Sequence, residues 1–309
     1  MTEPWNLSRV PDLSGKTVIV TGANSGIGLE AALVFATHRA DVILGCRSRE
    51  KAAAAVARIE EHVPDANLMV IPLDLADLAS IEAFATRVHS ERESVDVLVN
   101  NAGVMALPRQ RTKDGFEMQF GTNHLGHFAL TAHLLDSLLA VPGGRIVNVS
   151  SFMHKYGRIR LDDPNADDRY NKWVAYASSK LANLLFTHEL DRRLKTAGKG
   201  AISVACHPGW ASTNLAVEGP RLSGSQVMGS LASWANSTFA QSAAEGALPT
   251  VYASTEPLVG GEFIGPDGFR TWRGRPALQV PSPKARDAGL ARQLWDTSEQ
   301  LTGIQYQLG

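Results

Sequence analysis

Cysteine is nearly missing from this chain: the 309 residues hold only Cys46 and Cys206, far apart and without the paired spacing of a metal knuckle. Their scarcity excludes a disulfide scaffold and suits two core thiols in a reducing compartment. A surplus of charge is missing too. Lysine and arginine number 30 against 31 acidic residues, a formal net charge of -1, so neither nucleic acid nor an anionic membrane is an expected partner. No apolar run approaches the roughly 20 residues of a membrane span. The leading MTEPWNLSRVPDL lacks the basic start and apolar centre of a secretion signal. The expectation is a cytoplasmic chain without a membrane anchor. Repeats and low-complexity tracts are also absent, so the chain is read as a single domain.

What is present is an alternation. Short β-branched runs (TVIVTG, DVILGCR, LMVIPLDL, VDVLVNNAG, GRIVNVSS, AISVACHPG and EFIG) are separated by longer amphipathic ones. Among the latter, SREKAAAAVARIEEHV and DLASIEAFATRVHSE carry Ser48 and Asp77 where a helix N-cap belongs. Six of the seven runs are apolar nearly throughout, as in strands covered on both faces. The predicted fold is therefore α/β, a Rossmann-type, doubly wound, parallel seven-stranded sheet with helices on both faces. A cofactor-binding core spans about 14–205, and a segment rich in small residues at about 210–240 has the composition of a substrate lid. A polar tail follows from about 270 to 309.

The first strand runs into TGANSGIG, placing Gly22, Gly26 and Gly28 at a strand-to-helix turn. Glycines there let the backbone approach a pyrophosphate, whose charge meets the N–H groups of the helix N-terminus. The structural alternative is a plain tight connection. At the end of the second strand, where an NAD-binding chain carries an acidic residue, this one has Arg47. A guanidinium suits the 2′-phosphate of NADP; otherwise Arg47 is a solvated surface residue. Asn101, Ala102 and Gly103 follow the fourth strand, placed to line the same cleft or to form an ordinary turn. In YASSK, Tyr176 and Lys180 sit one helical turn apart on one face. They are either a phenol activated by an ammonium or an amphipathic pair with a snorkelling lysine.

TGANSGIG, NNAG, NVSS, YASSK and HPG, in this order and spacing, resemble the short-chain dehydrogenase/reductase family over about 14–265. CRS, NHLGHF, GRIRLDD and SKLANLLF resemble its retinol-dehydrogenase-like branch, which is also similar to protochlorophyllide reductases. The resemblance implies an oxidoreductase that interconverts a carbonyl and an alcohol by hydride transfer with NADP(H), NAD being the lesser alternative. It implies Tyr176 as general acid/base, Lys180 as its electrostatic partner and ribose ligand, Ser151 as holder of the substrate oxygen, and Asn123 as the fourth member through a relayed water. Cofactor contacts are expected from Gly22, Asn24, Ser25, Gly26, Ile27, Gly28, Arg47, Asp74, Leu75, Asn101, Ala102, Gly103, Tyr176 and Lys180. The element Pro208, Gly209 and Thr213 joins them at the nicotinamide.

Structural alternatives stand beside several of these: Asn123 and Ser150 or Ser151 as caps, and Asp74 as the cap of the following helix. His124 and His127 lack a third ligand and read as core or interface histidines, and the acidic run Asp162 to Asp168 as a solvated loop. Trp210, Leu215, Met228, Leu231 and Trp234 point to an apolar pocket and hence a hydrophobic ketone, aldehyde or alcohol. The resemblance also implies pairing into a homodimer or homotetramer, with no patch that decides it. The rival function is a non-catalytic nucleotide sensor on the same fold, which the joint presence of Ser151, Tyr176 and Lys180 argues against.

Overall fold

The computed structural model describes residues 5–210 and 241–308. Thr213, Leu215, Met228, Leu231 and Trp234 lie outside the described residues. Chain order begins β1 (Thr17–Thr21), α1 (Gly26–Thr37), β2 (Asp41–Cys46), α2 (Arg49–His62), β3 (Leu68–Pro72), α3 (Leu78–Glu91) and β4 (Val97–Asn100). A helical turn Met118–Phe120 and a π-helical turn Gly121–Leu125 lead into α4 (Gly126–His133) and α5 (Leu135–Leu139). Then follow β5 (Arg145–Val149), α6 (Lys172–Thr196), β6 (Ile202–Cys206), α7 (Ala243–Thr255), β7 (Phe263–Pro266), β8 (Pro276–Gln279) and α8 (Ala288–Thr302).

All the strands join one sheet in the order β3-β2-β1-β4-β5-β6-β7-β8. The first seven are parallel, and β8 runs antiparallel to β7. The doubly wound fold is thus present, with eight strands among the described residues where seven were expected. The extra strand, PALQ, escapes pattern reading because it is four residues long, starts on proline and leaves Leu278 exposed. Nor is β3 covered on both faces: it is the opposite edge strand, and Val70 lies open.

Local chemistry explains the elements. β1 is buried at every position, and Ser48 and Asp77 cap α2 and α3 by accepting from the Lys51 and Ala79 N–H groups. The region read as a polar tail is instead structural. α8 packs along α6 and buries Trp295 between Phe128, Phe186 and Tyr306, with ring centroids 5.2, 5.9 and 4.5 Å away. The Arg193 guanidinium covers that indole at 4.4 Å from its centroid. Among the described residues no helix is long and apolar enough to cross a membrane. Strand order reverses between β1 and β4, and at such a switch point a crevice opens at the carboxyl ends of the strands.

Candidate active site

The crevice has a nucleotide side and a reaction side. On the nucleotide side, Gly22 and Gly26 adopt left-handed φ of +67° and +55°, which lets the chain turn sharply from β1 into α1. Gly28 is required for a different reason: a Cβ there would lie 2.4 Å from Asn101 Nδ2 and 2.6 Å from the Gly22 oxygen. Ser25 precedes α1 in extended geometry with no side-chain cap bond, so the first-turn N–H groups are left to meet an anion. These features fit a dinucleotide pyrophosphate. Asn24 is half-buried, with its N–H and that of Ala23 directed at the Cys46 thiol, and Ile27 is buried in the core. Burial pushes that thiol up to about 11, so Cys46 is an inert neighbour of the turn.

Arg47 stands exposed immediately after β2 and makes no ion pair among the described residues. Asp74 folds its carboxylate back onto the Ala76 N–H at 3.0 Å, while Asp77 caps α3. Leu75 is buried. The Asn101 and Ala102 N–H groups both donate to Thr21 Oγ1 at 2.9 Å, pressing the turn to within contact of Gly22. Farther along, Gly209 has φ of +68°, and a Cβ there would meet the Trp272 oxygen at 2.3 Å. Gln241 donates to the carbonyl of Pro208.

The reaction side is built where β5 meets α6. Ser150 donates to the Lys180 carbonyl at 2.7 Å, which consumes its hydroxyl in the fold. The Ser151 side chain stands by the Tyr176 phenol, whose charged form it favours, and accepts from Met153 N–H at 3.2 Å. The structure therefore brings Ser151, not Ser150, to the phenol. Lys180 is buried, donates to the Val149 carbonyl at 3.0 Å, and holds its ammonium 5.9 Å from the Tyr176 ring centroid. Burial brings Lys180 down to about 8. Burial raises the Tyr176 phenol and outweighs the lowering by Ser151, where depression by the lysine was expected.

Asn123 is wholly buried in the π-helical turn. Its Oδ1 accepts from Val104 N–H at 2.8 Å, and its Nδ2 donates to the Val104 carbonyl and Ser179 Oγ, both at 2.9 Å. Its amide is thus spent on holding neighbouring segments, and its main-chain carbonyl meets His127 Nδ1 at 3.1 Å.

Thr21 and Ser179 escape sequence reading, although Thr21 directly precedes the glycine turn. His124 and His127 prove to be core residues with different partners. His124 bonds Ser298 of α8 at 2.9 Å, and His127 bonds Thr21 at 3.0 Å and the Asn123 carbonyl at 3.1 Å. The acidic run is a half-exposed loop pinned by Arg109 and Arg111 to Asp167 and by Asn165 to the Glu117 N–H. Trp210 stacks on Phe152, the residue after Ser151, with centroids 6.1 Å apart, and meets Trp272 edge-on at 5.5 Å.

Comparison with known proteins agrees with this geometry. The family described as short chain dehydrogenase matches residues 16–220. Human retinol dehydrogenase 13 is 44% identical over 301 residues, 95% of this chain and 86% of that protein. An uncharacterized protein from Mycobacterium paratuberculosis superposes with a TM-score of 0.81 at 41% identity, covering 99% of this chain and all of that one. A short chain dehydrogenase from Shigella flexneri, solved with NADP, shares the fold at 22% identity and a TM-score of 0.61, over 80% of this chain and 94% of its own.

Proposed function

Because the chain belongs to the short-chain dehydrogenase family, in its retinol-dehydrogenase-like branch, we propose that it reduces a hydrophobic ketone or aldehyde with NADPH, using Tyr176 as general acid. The coarser statement needs no proposal: it is an NAD(P)-dependent oxidoreductase acting on CH–OH or C=O groups. The observation carrying the finer one is the burial of Ser151, Tyr176 and Lys180 together, with the ammonium 5.9 Å from the phenol ring centroid.

When bound, the nicotinamide supplies a hydride to the carbonyl carbon. Ser151 Oγ and the Tyr176 hydroxyl donate to the carbonyl oxygen, and as negative charge develops there Tyr176 passes its proton to it, leaving an alcohol and a phenolate. The raised phenol favours this direction, since it keeps the proton in hand until the oxygen becomes basic. Lys180 then stabilises the phenolate through a low-dielectric gap. Arg47 meets the 2′-phosphate, a dianion for which the adjoining α2 N-terminus is also favourable. Trp210, Phe152 and Trp272 form an aromatic wall beside Ser151, which supports an apolar substrate.

Tyr176→Phe tests the assignment: about 10² to 10⁴ of kcat is lost while NADPH affinity, followed by nucleotide fluorescence, is retained. Comparable turnover by mutant and wild type removes Tyr176 from the mechanism. Wild-type protein that binds NADPH yet reduces nothing across aldehydes and ketones points to the sensor function instead.

A further inference from the structure

The proton positions around His127 follow from its partners. A carbonyl only accepts, so the ring nitrogen 3.1 Å from the Asn123 oxygen, Nδ1, carries the hydrogen. Burial drives this imidazole down to about 3, so it is neutral and Nε2 is an acceptor. The Thr21 hydroxyl has two acceptors in reach, Nε2 at 3.0 Å and the Val99 carbonyl at 3.3 Å, and the shorter contact is the one to Nε2. Its two lone pairs accept from Asn101 and Ala102 N–H at 2.9 Å each. Both ring nitrogens are thus partnered, and the Val99 carbonyl, which the Asn101 N–H also meets at 3.0 Å, competes with Nε2 for the hydroxyl hydrogen.

That chain connects three parts. Asn101 to Gly103 forms the nucleotide cleft, and Thr21 leads into the glycine turn. Asn123 holds both polar backbone groups of Val104, so any shift of its turn moves Gly103 as well. Gly103 lies between the two residues in question: a Cβ there would be 3.1 Å from Asn123 Oδ1 and 3.4 Å from Lys180 Nζ. We propose that His127 is a positioning residue, its imidazole bridging the turn that carries Asn123 to the nucleotide turn through Thr21, so that cofactor and proton donor are held in one register. The role assigned to His127 rests on the catalytic function proposed for Tyr176 and Lys180.

The test is a double-mutant cycle on the full chain. Thr21→Val removes the hydroxyl at nearly constant shape, and His127→Leu removes both ring bonds. NADPH affinity is read by nucleotide fluorescence without turnover, and kcat and KM are measured with the best carbonyl from a substrate panel. Each single variant weakens NADPH by about two- to tenfold, the worth of one or two neutral hydrogen bonds, and lowers kcat more than it raises KM. The double variant is no worse than the poorer single one, because both break the same bridge. Losses that simply add overturn the proposal, as does a folded variant that loses only thermal stability while affinity and kcat stay within twofold of wild type. Should His127→Leu not fold, Thr21→Val alone carries the test through the same two readouts. If Tyr176→Phe keeps its turnover, the catalytic reading falls while the affinity cycle still decides whether the bridge exists.

Discussion

The two sides of the crevice grip by different means. The nucleotide side works with backbone: positive-φ glycines, the N–H groups of α1, and a turn pinned by one threonine hydroxyl. The reaction side works with buried side chains: a tyrosine, a lysine, an asparagine and, behind them, histidines sealed into the core. A backbone site is spoiled mainly by adding atoms, as the Gly28 contacts show; a side-chain site is spoiled by removing them. The two also differ in how they respond to acid.

His124, His127 and His207 all lie beyond β4, and burial holds each at about 3, whereas His38, His62 and His89, which precede β4, are not buried. Below pH 6.5 the unfolded chain takes up protons that the folded chain refuses, so the unfolding free energy decreases as the pH is lowered. The slope approaches about 1.4 kcal/mol per pH unit for each histidine, or about 4 kcal/mol for three, within the window between about 6.5 and 3. Urea midpoints at stepped pH check this, and a flat profile between pH 6.5 and 5 would break the contrast between the buried and the unburied histidines. The next largest effect is Trp295→Ala, expected to cost about 3 to 5 kcal/mol of stability because four groups pack on that indole. Chemical denaturation measures it, and a loss under 1 kcal/mol would mean that α8 is an ornament on the sheet. The smallest effect sharpens the nucleotide side: Arg47→Ala should weaken NADPH by about ten- to hundredfold, the value of one charge-assisted contact, with NADH affinity little changed. Titrating both nucleotides decides it, equal losses marking Arg47 as structural.

The contrast also explains what was legible in the amino acids. Strands β1 to β7, the caps Ser48 and Asp77, and the motif-bearing turns are dictated locally, by β-branched runs, cap chemistry and glycine, and all were predictable. The eighth strand, the packing of α8 and the Thr21–His127 chain were not, since each depends on partners distant in sequence: β8 on β7, Trp295 on Phe128, His127 on Thr21. Ser151 was legible beside Tyr176 through the motif, but the direction of the Tyr176 shift was not. Proximity of a lysine is visible in YASSK, whereas the burial that outweighs it belongs to the fold.

The seat of Trp295 and Tyr306 also bears on how the protein is made. Tyr306 donates to the Phe128 carbonyl at 2.7 Å, so the apolar face of α4 and α6 is closed by a residue synthesised 178 positions after Phe128. At about 5 to 20 residues per second, β1 to β4 leave the ribosome tens of seconds before that closure is available. Through that interval Phe128 and Phe186 remain uncovered on a nascent chain, and a stop codon upstream of Ala288 would make the interval permanent. Such a product keeps its nucleotide motifs intact and still presents chaperones and proteases with an unsealed aromatic face.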